Sequence, residues 1–81
     1  MNKVSKNIKY LSENIKFLRN FNKYTFEELS TKTKIPKSTL WNYENDCTKL
    51  TIQNLILLSK CYNVSLEDLI FKNLKNDSNR W

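Results

Sequence analysis

Histidine and glycine are both missing from this 81-residue chain, and proline occurs once. Without His the commonest general base and the commonest metal ligand are gone, which excludes Ser–His–Asp and Cys–His catalysis and any His-based zinc site. Without Gly there is no Walker or Rossmann phosphate loop. Any position that needs positive φ must then be filled by Asn, Asp or a strained residue. The two cysteines, Cys47 and Cys61, are too few and too far apart for a zinc site or a disulfide scaffold. Both thiols are expected to be free, in a reducing compartment. No apolar run approaches the roughly 20 residues that span a bilayer, and no apolar signal core follows the basic start Met1-Asn2-Lys3. The expectation is a soluble cytoplasmic protein with no enzymatic constellation, no metal, no cofactor and no membrane partner.

What remains is small, basic and periodic. A chain of this length forms one domain and buries only about 60–65% of its unfolded surface. Fourteen Lys and Arg stand against eight Asp and Glu, a formal net charge of +6, which favours polyanionic partners. Six of the basic residues, against Glu13 alone, fall in the stretch 1–26.

Apolar spacing is helical throughout. Ile8, Leu11, Ile15, Leu18 and Phe21 recur at intervals of three and four, although Ser12 is also placed to cap a shorter helix. Thr25-Phe26-Glu27-Glu28 is a capping box with Tyr24 and Leu29 at staple positions. Pro36 suits the first turn of a further helix, Asn45-Asp46 is a stop tolerant of the left-handed region, and Thr51 and Ser65 cap two more. The expected helices are 8–21, 26–33, 36–44, 52–62 and 66–74, with no strands. The expected core is Ile15, Leu18, Leu29, Ile35, Leu40, Tyr43, Ile52, Leu55, Leu58, Val64, Leu66, Leu69 and Ile70. The chain divides into a basic extension 1–10, a folded domain 11–74 and a polar tail 75–81.

Two eight-residue helices joined by the short break at Lys34-Ile35-Pro36 have helix-turn-helix geometry. With Leu40 and Tyr43 inward, the second presents Lys37, Ser38, Trp41 and Asn42 outward. Lys donates to guanine acceptors, Asn pairs with adenine and Ser suits either. Such a face is equally an ordinary solvated one.

The segments Tyr24-Thr25-Phe26-Glu27-Glu28-Leu29-Ser30, Lys34-Ile35-Pro36-Lys37-Ser38-Thr39-Leu40, Tyr43-Glu44 and Tyr62-Asn63-Val64-Ser65-Leu66-Glu67-Asp68-Leu69 together resemble the phage-repressor/Cro (XRE-type) helix-turn-helix family, in order and in spacing. The resemblance covers about Leu11 to Ile70. It implies a compact, all-α, five-helix lambda-repressor-like domain that regulates transcription from double-stranded DNA. The implied protein is a repressor of phage or mobile-element origin, working as a homodimer on a palindromic operator. By position, Lys37, Ser38, Trp41 and Asn42 are the implied base-reading residues. Phe26, Lys34, Pro36, Thr39 and Lys49 are implied at the DNA backbone. Glu44 corresponds to an acid that holds the helix pair together, and Phe71 and Leu74 to a C-terminal dimer patch, unless both only finish the monomer core. The basic extension, with Lys3, Lys6 and Lys9, is a candidate minor-groove arm.

Three positions depart from that pattern. Phe26 replaces the family's Gln, Lys34 stands at the turn Gly, and Asp46 stands at the Gly after the recognition helix. These departures keep an alternative open: a protein-interaction module, anti-repressor or co-regulator, that retains the fold, binds DNA weakly and uses Phe26, Trp41 and Trp81 as aromatic anchors.

Overall fold

The computed structural model describes residues 9–77; residues 1–8 of the expected minor-groove arm and Trp81 lie outside them, while the last two residues of that expected extension, Lys9 and Tyr10, are helical. Among the described residues five α-helices follow one another: α1 Lys9–Phe21, α2 Phe26–Thr33, α3 Lys37–Asn45, α4 Ile52–Tyr62 and α5 Leu66–Phe71. Single 3-10 turns stand at Cys47–Lys49 and Leu74–Asn76. No strand occurs among the described residues. The fold is all-α, as the apolar periodicity requires.

Caps fix the helix starts. At α2 the Thr25 hydroxyl accepts from the Glu28 amide at 3.0 Å, and the Glu28 carboxylate accepts from the Thr25 amide at 2.9 Å, completing the capping box. Thr51 caps α4 through the Asn54 amide and Ser65 caps α5 through the Asp68 amide, both at 3.1 Å. In the absence of Gly, Lys23 (φ 58), Lys34 (φ 64) and Asn63 (φ 55) occupy the left-handed region. Lys34 therefore carries the strain expected at the turn of the helix pair, about 1–2 kcal/mol. Asp46 does not take that conformation. Its φ of −159° is extended, and its carboxylate caps the following 3-10 turn through the Thr48 amide at 3.0 Å.

The helices close around Ile15, Leu18, Leu29, Ile35, Leu40, Leu58 and Leu69, all essentially inaccessible, with Leu11, Tyr43, Leu55, Tyr62, Val64 and Leu74 completing the core. α1 packs on α3 and α5, while α2 packs on α3 and α4. Three expectations need correction. Ile52, at the solvent side of the first turn of α4, is 65% exposed and outside the core. Leu66 and Ile70 pack against the core but are only partly buried. Ser12 does not start a helix: it lies inside α1, and its hydroxyl donates to the Cys47 sulfur at 3.0 Å.

The last helix also ends earlier than its spacing implies, and Asn14 accounts for it. This buried α1 side chain donates to the carbonyls of Leu69 (2.8 Å) and Lys72 (2.6 Å), and its oxygen accepts from the Leu74 amide at 3.1 Å. Those bonds turn the chain after Phe71 and drive Leu74 into the core, where it is 0% exposed. Leu74 is thus a monomer core residue and no part of an exposed dimer patch. Phe71 alone of that pair faces solvent.

Candidate nucleic-acid interface

The second helix of the pair, α3, is held on one side and free on the other. Leu40 and Tyr43 are buried. The Tyr43 hydroxyl accepts from the Asn54 side-chain amide at 2.8 Å, which ties α3 to α4. Glu44 is gripped from α1: Arg19 Nε donates to Glu44 Oε2 at 2.6 Å and Arg19 Nη2 to Oε1 at 3.2 Å. The Arg19 side chain is 16% exposed and that of Glu44 4%. The same guanidinium donates to the Tyr24 carbonyl at 3.0 Å and lies 4.1 Å from the centre of the Phe26 ring. Glu44 is indeed a tether, but it joins α3 to α1 rather than joining the helix pair to itself.

At about 100° per residue, positions 40, 43 and 44 cover the inward side, and 37, 41, 45, 38 and 42 sweep an outward arc of about 140°. Lys37, Ser38, Trp41, Asn42 and Asn45 are all exposed, and Thr39 is half-buried at the edge of the arc. Asn45 is partly occupied, its side chain donating to the Trp41 carbonyl at 2.8 Å. Pro36 precedes the helix as its N-cap, with φ −58° and no side-chain cap, one residue outside the expected start. The first turn holds no acid, so the uncapped amide end and its positive dipole suit a phosphate.

Two grooves flank α3. One, of about 380 Å³, is lined by Thr39, Asn42, Tyr43, Asp46, Thr48 and Lys49. It unites Thr39 and Lys49 with Asn42, and sets the acid Asp46 among them. The other, of about 200 Å³, is lined by Lys16, Arg19, Phe26, Trp41, Glu44 and Asn45. There Phe26 is half-buried against the core beneath Arg19, while Trp41 is 55% exposed. Lys34 and Pro36 are exposed in the turn leading into α3.

Arg19 carries no motif that marks its role; its signal in the sequence is an Arg beside the apolar stripe of α1, with an acid of matching reach at the end of α3. Lys16 and Thr48 were likewise missed, because a groove between helices leaves no periodic trace.

Both free thiols are held toward the neutral form. Burial pushes the Cys47 thiol up; the hydrogen bond from Ser12 opposes this and Asp46 adds a smaller push. Burial likewise raises Cys61, with Lys32 opposing. Among the described residues no group of His, Cys, Asp or Glu is arranged to hold a metal ion, and no helix is long and apolar enough to cross a membrane.

A helix buried on one face, extended by a polar outward arc and preceded by a second helix across a tight turn, defines a helix-turn-helix protein. Residues 12–75 match the helix-turn-helix domain family; the chain belongs to it, and with it to a class of DNA-binding domains. Neither a curated protein nor a solved structure gives a significant match to the chain.

Proposed function

We propose that the chain is a sequence-specific regulator of double-stranded DNA, a cytoplasmic repressor of the phage or mobile-element type, that reads the major groove with α3. The observation that carries this reading is the outward arc: Lys37, Ser38, Trp41 and Asn42 are exposed together, while Leu40, Tyr43 and Glu44 fix the helix from behind. A groove about 12 Å wide admits one such helix. Lys37 and Ser38 near its N-terminus, and Asn42 one turn on, then meet successive base edges. Trp41 packs on thymine methyls or sugars. Lys34, Pro36, Thr39 and Lys49 follow the phosphates, and the edge of Phe26 lies beside them. These backbone contacts position the domain and make binding salt-dependent.

A single module of this size makes few base contacts. Two copies on a palindrome, with half-sites about 34–36 Å apart, supply the remainder, and Phe71, exposed at the end of α5, is available for their contact. Selection of bound duplexes from a random pool at two salt concentrations tests the proposal. An enriched palindrome supports it. A pool that stays random, with affinity in the nonspecific range of about 10⁻⁴–10⁻⁶ M, contradicts it.

One observation favours a second reading. Phe26 and Trp41 line the same groove beside Arg19, an aromatic pair that also suits a protein partner.

A further inference from the structure

Away from α3 there is a third groove, of about 390 Å³, between α2 and α4, lined by Tyr24, Lys32, Thr33, Leu57, Lys60 and Cys61. It shares no residue with the two grooves that flank α3. Its size falls within the range of about 300–1,000 Å³ typical of concave binding sites.

The three α4 residues stand at i, i+3 and i+4, so one helix face contributes them all. Leu57 is 41% exposed there, although the buried face of α4 is made by Leu55, Leu58 and Tyr62. The rim is basic. Lys32 and Lys60 are exposed, neither forms an ion pair among the described residues, and no carboxylate lines the groove. The Lys32 ammonium lies 5.3 Å from the centre of the Tyr24 ring. The Cys61 thiol, its ionisation disfavoured by burial, presents neutral, weakly polar surface beside Leu57.

We propose that this groove is a docking site for an acidic peptide segment of a partner protein, which seats one aliphatic side chain against Leu57, Cys61 and Tyr24 and pairs its carboxylates with Lys32 and Lys60. Charge complementarity selects the occupant. A phosphodiester backbone satisfies the lysines but leaves Leu57 facing polar sugar and phosphate. A peptide with a Leu between acids covers both kinds of surface. The groove shares no lining residue with the two that flank α3, so on the proposed DNA-reading function the domain would hold a duplex and a partner together.

The test is an amide-resolved NMR titration of the intact chain with a short synthetic peptide carrying one central Leu flanked by Glu. Saturable shifts are expected at Lys32, Leu57, Lys60 and Cys61, unaffected by an added duplex. The double variant Lys32→Glu/Lys60→Glu should weaken binding at least about tenfold and gain binding to the peptide with Lys in place of Glu. All these side chains but Cys61 are solvent-exposed, and the amide spectrum itself reports folding. Absence of saturable shifts overturns the proposal. So does a shift map centred on α3, failure of the charge-swapped pair, or displacement of the peptide from these amides by duplex DNA.

Discussion

Arg19 and Glu44 form a two-pronged ion pair, at 2.6 and 3.2 Å, across the junction of α1 and α3, with both side chains largely withdrawn from water. Desolvation makes such a pair a poor source of net stability compared with apolar packing, but removing one partner strands the other. Its consequence is geometric: the end of α3 cannot roll on the core without breaking it. Glu44→Ala is expected to cost about 3–5 kcal/mol, a large share of the stability of about 4–12 kcal/mol normal for this length. Urea denaturation measures it. A loss below about 1 kcal/mol would show that Arg19 is served adequately by water and the Tyr24 carbonyl.

Lys34→Gly separates two roles of one residue. Relief of the left-handed backbone should stabilise the domain by about 1 kcal/mol, after the entropy of Gly in the unfolded chain is subtracted, while loss of the side chain weakens binding to any duplex. Lys23→Gly, at φ 58, is the control, expected to give the same rise in thermal midpoint with DNA affinity unchanged.

Tyr62 is buried and its hydroxyl has no hydrogen-bond partner among the described residues. Burial, aided by Cys61 and Glu44, pushes its pKa well above the phenol range. Tyr62→Phe is expected to be neutral or stabilising, by up to about 1 kcal/mol, because it removes an unsatisfied polar atom. The sign with pH follows from linkage. For Tyr62, Cys47 and Cys61 the folded pKa lies above the unfolded one, so their contribution is intact at neutral pH. It falls as pH rises past about 8.5 for the thiols and about 10 for the phenol, where the unfolded chain ionises first. Under reducing conditions the urea midpoint should decline above about pH 9, and less steeply above about pH 10 in Tyr62→Phe. Parallel curves for the two proteins would refute the assignment.

Lys49 and Asp46 share one groove beside Asn42 and should act oppositely. Lys49→Ala is expected to weaken binding to every sequence alike and reduce the salt slope by about 1. On the proposed DNA-reading function Asp46→Ala removes an acid from the groove beside the expected phosphate path and should tighten binding, at the cost of the cap on Thr48. Filter binding across a salt series reads both.

The chemistry of capping and periodicity is local, so it was legible: Thr25, Glu28, Thr51 and Ser65 start their helices where their spacing implies, and Leu40 and Tyr43 turn inward. The polar groups that bind across the fold were not. Asn14 stands on the apolar face of α1 beside Leu11, Ile15 and Leu18, yet its partners are backbone atoms of Leu69, Lys72 and Leu74, more than fifty positions on. That non-local bonding clasps the segment where α5 ends and Leu74 leaves the surface. Of the interface, the outward arc of α3 could be read from spacing. The Arg19 tether and the seating of Asp46 in the groove depend on how helices meet, which a single chain of letters does not encode locally.

If the outward arc of α3 reads bases, as proposed, Asn42 is the residue to change, because it is exposed and lies outside the core. Asn42→Ala should be measured against a set of duplexes carrying all single-base changes in the selected site. Preference at one position is expected to relax by about 1–3 kcal/mol, with the other positions and the salt slope unchanged. A variant that ranks every duplex as the parent does would contradict the proposal.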